Sequence, residues 1–199
     1  MNKKILRANL ILASASPRRK TLLEQAGYSF DIVKPDLDEE AHLSDTITPE
    51  AYTKLLAKEK ALAVAKSHPT SIVIGSDTIV YAAGQIIGKA DDHHHARQII
   101  ELLFSRPHDV ITGLAILKLD ENIEIIENAT TRVYPRMMTH DEIEAHINSG
   151  LWEGKAGAYG IQETGDEFIE RIEGSFTNVM GFPMELVIEL LKKFERTDQ

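Results

Sequence analysis

The chain has 199 residues and a formal net charge of −9, from 22 Lys and Arg against 31 Asp and Glu. At about 150 residues per domain the length indicates one compact unit, or one with a small second lobe. The absence of cysteine excludes disulfides, thiolate metal sites and thiol catalysis. Since no apolar run reaches the roughly 18 residues of a membrane span, we expect a cytoplasmic protein without a membrane partner. The acidic balance also argues against nucleic acid as the main partner.

Helices and strands are predicted to alternate along the chain. In order they are strand 10–13, helix 17–26, strand 28–33, loop 34–48, helix 49–67, strand 71–75, strands 79–81 and 85–87 as a hairpin, helix 92–104, strands 109–119 and 123–134 as a long hairpin, helix 139–149, glycine-rich segment 154–162, strand 168–172 and helix 183–194. The hairpins favour a mixed sheet over a purely parallel one. The predicted fold class is therefore α/β, a mixed twisted sheet with flanking helices.

A cluster of cations at a predicted helix start is the first candidate binding motif. Segment 14–20 reads Ser-Ala-Ser-Pro-Arg-Arg-Lys, with Ser16 as N-cap and three basic residues in the first turn. Cations are unfavourable beside the positive end of a helix dipole, and a bound anion would reverse that effect. The hydroxyls of Ser14 and Ser16, free backbone N–H groups and the forks of Arg18 and Arg19 could then hold phosphate. The alternative is a capped helix with solvated basic residues.

Two acidic motifs are candidates for metal binding. Asp77 lies in Gly-Ser-Asp-Thr, 75–78, directly after a predicted buried strand, where ligands of open α/β sheets bind. Glu39 lies in the acidic loop 36–40, and Mg²⁺ needs only one or two carboxylates together with substrate phosphates. The alternatives are a tight turn for Asp77 and a solvated loop for Glu39.

The glycine-rich segment 154–162 allows a ligand to approach the backbone closely. It is not a P-loop, because Ala156 stands where Ser or Thr is required, and its glycine spacing is not that of a dinucleotide site. Tyr159 could pack on a base, and Gln162 offers a donor and an acceptor to a base edge. A structural turn is the alternative.

Two lysines are further candidates. Lys60 falls at the margin of the apolar face of helix 49–67, where it either snorkels to solvent or points into a cleft. Lys89 follows the predicted strand 85–87.

Taken together, these motifs resemble the Maf family of nucleoside triphosphate pyrophosphatases, nearly end to end from Leu10 to about Phe194. Four segments occur in the family's order: Ser-x-Ser-Pro-Arg-Arg at 14–19, Gly-Ser-Asp-Thr at 75–78, Lys-Ala-Gly-Ala-Tyr-Gly-Ile-Gln at 155–162, and Gly-Ser-Phe-Thr-Asn-Val-Met-Gly-Phe-Pro at 174–183. The resemblance implies that residues 1–199 form a single Maf-type domain. It also implies a mixed α/β fold shared with inosine-triphosphatase-like proteins, two lobes around a cleft, and a homodimer.

The resemblance implies divalent-metal-dependent cleavage between the α- and β-phosphates of a nucleotide, giving a nucleoside monophosphate and pyrophosphate. Mg²⁺ is the expected metal, with Mn²⁺ or Co²⁺ as alternatives. The functional positions that carry over are Arg18, Arg19, Glu39, Lys60, Asp77, Lys89 and Gln162. Substrate binding would also involve Ser14, Ser16, Thr78 and Lys155.

Substrate choice is tied to the positions of Arg18, Thr78 and Gln162. The Gly-Ala-Tyr-Gly-Ile-Gln form resembles the branch that acts on dTTP and UTP. The alternatives are a pyrophosphatase that prefers 7-methyl-GTP or purines, and a non-catalytic nucleotide-binding regulator of septation, since family members have been linked to arrest of cell division.

The mechanistic hypothesis divides these residues by charge. Arg18, Arg19, Lys60 and Lys89 hold the triphosphate and offset charge on the leaving pyrophosphate. Glu39 and Asp77 bind the metal, and Asp77 also orients or deprotonates the attacking water.

Overall fold

The computed structural model describes residues 4–37, 47–161 and 166–195. Their helices and strands are β1 Leu10–Ala13, α1 Pro17–Gln25, β2 Asp31–Ile32, α2 Pro49–Ala65, β3 Ile72–Ala82, β4 Gln85–Ile87, α3 His93–Leu103, β5 His108–Lys118, β6 Ile123–Pro135, α4 His140–Asn148, α5 Asp166–Phe168, β7 Ile169–Glu173, α6 Phe176–Val179 and α7 Met184–Leu191. Short 3₁₀ turns at Leu119–Glu121 and Lys192–Phe194 follow β5 and α7. None of the helices in these residues has the length and apolarity that a membrane span requires.

Helix starts follow the predicted caps. The Ser16 hydroxyl accepts the N–H of Arg19 at the start of α1. At α4, Thr139 and Glu142 form a complete capping box, in which each side chain accepts the other's backbone N–H. These caps satisfy N–H groups that a helix leaves open at its first turn.

The strands form a mixed sheet, as predicted. Their order is β2-β1-β3-β5-β6-β7, and β4 pairs with β3. Strand β1 runs parallel to β2 and β3, whereas the β3–β4 and β6–β7 pairs are antiparallel.

The chain divides into two compact units, in agreement with the two predicted lobes. Unit 1 comprises Met1–Asp77, Thr112–Ala129 and Gly181–Gln199, and unit 2 comprises Thr78–Ile111 and Thr130–Met180. Strands β3, β5 and β6 each contribute residues to both units.

In unit 1, helix α2 packs directly on the backbone of two strands. A Cβ atom on Gly75 of β3 would lie 2.2 Å from the Ala57 carbonyl oxygen, and one on Gly113 of β5 would lie 2.1 Å from the Thr53 carbonyl oxygen. Only glycine leaves room for this approach. Around it lies an apolar cluster from β1, α2, β3 and β5: Ile11, Ala13, Ala57, Ala61, Val64, Ala65, Val73, Ala115 and Leu117.

In unit 2, the main apolar cluster includes residues of α3 and α4 and extends into the glycine-rich segment. Its larger members are Val80, Ile87, Ile99, Ile100, Leu103, Phe104, Val110, Val133, Ile143, Ile147, Trp152 and Tyr159.

Several predicted elements differ from the structure. The predicted strands 71–75 and 79–81 are one strand, β3, in which the Asp77 carboxylate is paired with Lys60 and the Ser76 carbonyl oxygen accepts from Arg19. The predicted strand 28–33 shortens to β2, which pairs with Ile11 and Leu12 of β1. The predicted helix 183–194 ends at Leu191, and the short helices α5 and α6 were not predicted.

Candidate functional site

Ser14 organises the loop between β1 and α1. It lies one residue after β1 and is 5% exposed. Its hydroxyl oxygen accepts the Ser16 backbone N–H at 3.1 Å and an N–H of the Arg19 guanidinium at 3.3 Å. The hydroxyl proton is therefore still available to donate to an anion at the start of α1.

The Arg19 guanidinium is held by hydrogen bonds within the protein. Its guanidinium donates to the carbonyl oxygens of Gly181, at 2.9 Å, and Ser76, at 2.8 Å, besides Ser14. These acceptors come from three separate stretches of chain, so Arg19 joins the β1–α1 loop to β3 and to the segment before α7.

Arg18 differs from Arg19 in the hydrogen bonding of its guanidinium. It is half-buried, and its guanidinium makes no hydrogen bond or ion pair within the described part of the chain. The first turn of α1 contains basic residues and no acidic one, so its own side chains do not offset the positive end of the helix dipole. Of the two arginines, Arg18 is the better placed to bind an anion.

A buried ion pair joins α2 to β3. The Lys60 ammonium lies 2.6 Å from Asp77 Oδ1, and each side chain is 9% exposed. Gly75 and Asp77 are two residues apart on a strand and therefore share a face, so the close packing of α2 at Gly75 also brings Lys60 to Asp77. Lys60 does not snorkel to solvent.

The position predicted for Asp77, after the end of a strand or in a tight turn, is wrong. Asp77 lies inside β3, beyond Gly75, the last β3 residue paired with β1. A buried charge without a partner is costly. The Asp77 carboxylate is tolerated inside the strand because the Lys60 ammonium neutralises it.

The donor atoms at Asp77 fit a magnesium ion that also uses substrate oxygens. Lys60 occupies Oδ1, and the other carboxylate oxygen makes no hydrogen bond within the described residues. Those residues contain no group of three His, Cys, Asp or Glu side chains that could hold a metal by themselves. A hard ion that accepts one carboxylate, phosphate oxygens and water suits this arrangement.

Three predicted site residues belong to unit 2. Thr78 is half-buried, and Lys89 is exposed and forms a backbone bridge with Ala156. Lys155 is buried, and its ammonium donates to the Leu151 carbonyl oxygen. Lys89 is thus open to solvent, whereas the Lys155 charge is directed at the protein backbone.

The prediction that Tyr159 packs on a base is wrong. It is buried in the apolar cluster of unit 2, with its ring edge-on to Phe104 at 5.4 Å. Its hydroxyl lies 2.8 Å from His108 Nε2, and burial raises the pKa of this hydroxyl. Burial also lowers the pKa of His108 to about 4, so the ring is neutral near pH 7.

Two predicted site residues, Glu39 and Gln162, lie outside the described residues. Conversely, the sequence analysis did not single out Gly113, Gly181, His108 or His146, which hold the site residues and the glycine-rich segment by packing or hydrogen bonds. Of these, Gly113 could have been found from the sequence, because a glycine inside a predicted strand indicates close approach of another backbone.

Comparison with known proteins adds an independent observation. Residues 9–194 match the family described as "Maf-like protein". The dTTP/UTP pyrophosphatase of Elusimicrobium minutum is 43% identical over 93% of this chain and 98% of its own length. The dTTP/UTP pyrophosphatases of Clostridioides difficile and Geotalea uraniireducens are 39% and 40% identical, each over 94% of this chain and 95% of their own. A solved structure of a HAM1 protein from Coxiella burnetii aligns with a TM-score of 0.47 and 13% identity, over 94% of this chain and 99% of that one.

Proposed function

Because the chain belongs to the Maf family, we propose that it hydrolyses dTTP and UTP to the nucleoside monophosphate and pyrophosphate. The observation that carries this proposal is the identity of 39–43% to three relatives that bear the name dTTP/UTP pyrophosphatase, over 93–94% of this chain. Similarity of this extent covers the described functional segments in both units rather than one motif.

The cations of unit 1 support binding of a triphosphate. Among the described residues, the Arg18 guanidinium at the start of α1 has no hydrogen-bond or ion-pair partner, and the Ser14 hydroxyl accepts without donating. The first N–H groups of a helix also attract phosphate. Arg19 holds the loop that presents these groups. Lys89 in unit 2 is an exposed cation that would bind a further phosphate oxygen. Positive charge placed before the reaction stabilises the negative charge that develops on pyrophosphate.

Asp77 is the proposed residue that orients the attacking water and takes its proton. Its carboxylate is fixed through Oδ1 by Lys60, so the remaining oxygen has a defined direction. A carboxylate held in this way can accept a proton from a water molecule within hydrogen-bond distance. Together with Glu39, Asp77 would hold Mg²⁺, or in its place Mn²⁺ or Co²⁺. A bound metal ion would polarise the phosphate oxygens.

Base choice is assigned, as part of this proposal, to Arg18, Thr78 and Gln162. A uracil or thymine edge presents one N–H between two carbonyl oxygens, and the Gln162 carboxamide can pair with part of that pattern. The proposal also includes a cytoplasmic homodimer that clears nucleotide pools and does not use nucleic acid as its partner.

The test is a pyrophosphate-release assay on dTTP, UTP, CTP, GTP and 7-methyl-GTP, repeated with Mg²⁺, Mn²⁺ and Co²⁺ and without metal. We expect dTTP and UTP to give the highest kcat/KM and to require a divalent ion. Preference for 7-methyl-GTP or GTP would replace the pyrimidine assignment, and binding without turnover of any nucleotide would indicate a regulator.

The Asp77→Asn variant tests the assigned chemistry. The substitution is nearly isosteric but removes the negative charge, so turnover of dTTP should fall by about a hundredfold or more, as for loss of a general base. Circular dichroism and nucleotide-induced thermal shifts establish that the variant is folded and binds. A folded variant with a near wild-type rate would reject the role given to Asp77.

A further inference from the structure

The stretch of chain that carries Lys89 runs between β4 and α3. Strand β4 ends at Ile87, which pairs with Val80 of β3, and α3 begins at His93. Lys89 is exposed, and its backbone forms an antiparallel bridge with Ala156 of the glycine-rich segment. A lysine side chain is long and flexible, so the region that its ammonium can reach depends on how firmly its backbone is fixed.

Gly157 strengthens this attachment next to the bridge. Its N–H donates to the Gly88 carbonyl oxygen at 2.9 Å. The φ of Gly157 is 74°, in the left-handed region that glycine adopts without strain. A Cβ atom at this position would lie 2.8 Å from Val80 Cγ2 and 3.0 Å from Leu103 Cδ1. Both the backbone conformation and the available space therefore favour glycine.

The residues that follow Gly157 are held by buried groups of unit 2. Ala158 has a φ of 57°, a conformation that persists only where surrounding contacts fix it. Its carbonyl oxygen accepts the Nε2–H of His146, on α4, at 2.8 Å. The Tyr159 hydroxyl lies 2.8 Å from Nε2 of His108, on β5. The glycine-rich segment is thus tied to α4 and β5 as well as to the stretch that carries Lys89.

We infer that the glycine-rich segment is a positioning element for Lys89, and that Gly157 is the residue through which it acts. The inference rests on the proposed function, in which Lys89 binds a phosphate oxygen. The segment connects the backbone beside Lys89 to the packed interior of unit 2. The ammonium is then offered to phosphate from a fixed backbone position, and less chain entropy is lost when the anion binds.

The experiment measures Gly157→Ala alone and in combination with Lys89→Ala. Gly150→Ala is the matched control, because Gly150 has a φ of 70° and its substitution adds similar backbone strain. Among the described residues outside its chain neighbours, an added Cβ atom there would meet Glu153 Oε1 at an ordinary 3.6 Å. This control therefore lacks both the crowding at Gly157 and the hydrogen bond to Gly88.

A second control separates positioning from loosening of the interior. Leu103→Ala removes buried apolar contact beside Gly157 and leaves its backbone hydrogen bond in place. If Gly157→Ala does not fold, Gly157→Asn replaces it, since asparagine tolerates the left-handed region better than alanine. Melting temperature, kcat and KM for dTTP, and the thermal shift induced by inorganic pyrophosphate are measured for each variant.

Lys89→Ala should raise KM for dTTP by about ten- to a hundredfold, the effect of losing one hydrogen bond to a charged group. Gly157→Ala should raise KM by about three- to tenfold, as a partial loss of the same contact, with kcat changed less. In the Lys89→Ala background, Gly157→Ala should change KM by less than about twofold, because no ammonium is left to misplace. Gly150→Ala and Leu103→Ala should lower the melting temperature with KM unchanged.

A wild-type KM in Gly157→Ala, or the same increase in KM with and without Lys89, would overturn the inference and leave the proposed function intact. An equal increase in Gly150→Ala or Leu103→Ala would also overturn it, because general loosening of unit 2 would then explain the effect. If the wild-type protein releases pyrophosphate from none of the nucleotides, the proposed function fails. The same comparison is then made with the thermal shift induced by pyrophosphate, where additive losses, or no shift in the wild type, overturn the inference as well.

Discussion

Gly75→Ala should disrupt the packing that joins α2 to β3. The added Cβ atom would lie 2.2 Å from the Ala57 carbonyl oxygen and 2.6 Å from the Ala61 backbone nitrogen. Ordinary contact begins at 3.4 Å, so the helix must retreat by about 3.4 − 2.2 = 1.2 Å. Both obstructing atoms are backbone, and a side-chain rotation cannot relieve the clash.

The magnitude follows from overpacking and from the geometry of Lys60. Forcing extra volume into a packed core costs about 1–3 kcal/mol, or roughly 2–12 °C in the melting temperature of a chain of this size. Lys60 directly precedes Ala61, so retreat of the helix stretches the 2.6 Å contact with Asp77. A displacement of about 1 Å at a reacting group can lower a rate by about a hundredfold.

Differential scanning calorimetry and pyrophosphate release from dTTP measure the two effects. Gly88→Ala is the matched control. Among the described residues, no atom outside Gly88 and its two chain neighbours lies within 4 Å of the Cβ position, and its φ is not in the left-handed region. That variant should melt within about 1 °C of the wild type or slightly above it, because alanine restricts the unfolded chain. Wild-type stability and activity in Gly75→Ala would refute the argument.

Three further predictions concern single side chains. Lys60→Met and Asp77→Asn should each lower the free energy of unfolding by about 3–5 kcal/mol, the usual cost of breaking a buried ion pair. In urea unfolding, the double variant should lose less than the sum of the two single losses. Additive losses would show that the two groups do not interact. Arg18→Ala should leave the melting temperature of the free protein unchanged or slightly raised, because a cation beside a helix N-terminus is unfavourable, whereas the thermal shift induced by dTTP should shrink; an unchanged shift contradicts phosphate binding by Arg18. Burial lowers the pKa of His108 from 6.5 to about 4, so the folded protein loses about 3 kcal/mol of stability from this group as the pH falls from 6.5 to 4. His108→Gln should flatten the profile of melting temperature against pH in this range. An unaltered slope would assign the acid sensitivity to other groups.

Local signals in the sequence predicted the helices well. Ser16 with Pro17, and Thr139 with Glu142, are cap patterns whose hydrogen bonds form within one turn, so the residues that make the structure are neighbours in sequence. The alternation of helices with paired strands likewise predicted the mixed sheet.

The interior of β3 could not be predicted from local pattern. Ser76 and Asp77 have the composition of a turn. Asp77 remains in a strand because Lys60, 17 residues away, supplies a partner for its carboxylate, and Arg19, 57 residues away, donates to the Ser76 carbonyl oxygen. A sequence pattern does not indicate which distant cation will neutralise a buried carboxylate. For the same reason the sequence suggested Tyr159 as a base-stacking residue, when its hydroxyl is instead paired with His108 across 51 residues.

The division of unit 1 among three stretches of chain has a consequence for how the protein folds. The hydrogen bond from Arg19 to Gly181 spans 162 residues, and the ion pair from Arg7 to Glu121 spans 114. Contacts of this sequence separation slow folding, because the chain must lose conformational entropy in closing a long loop before the contact can form. During synthesis, Arg19 and Ser76 emerge from the ribosome long before Gly181. The hydrogen bonds that hold Arg19 are therefore complete only after Gly181 has been made.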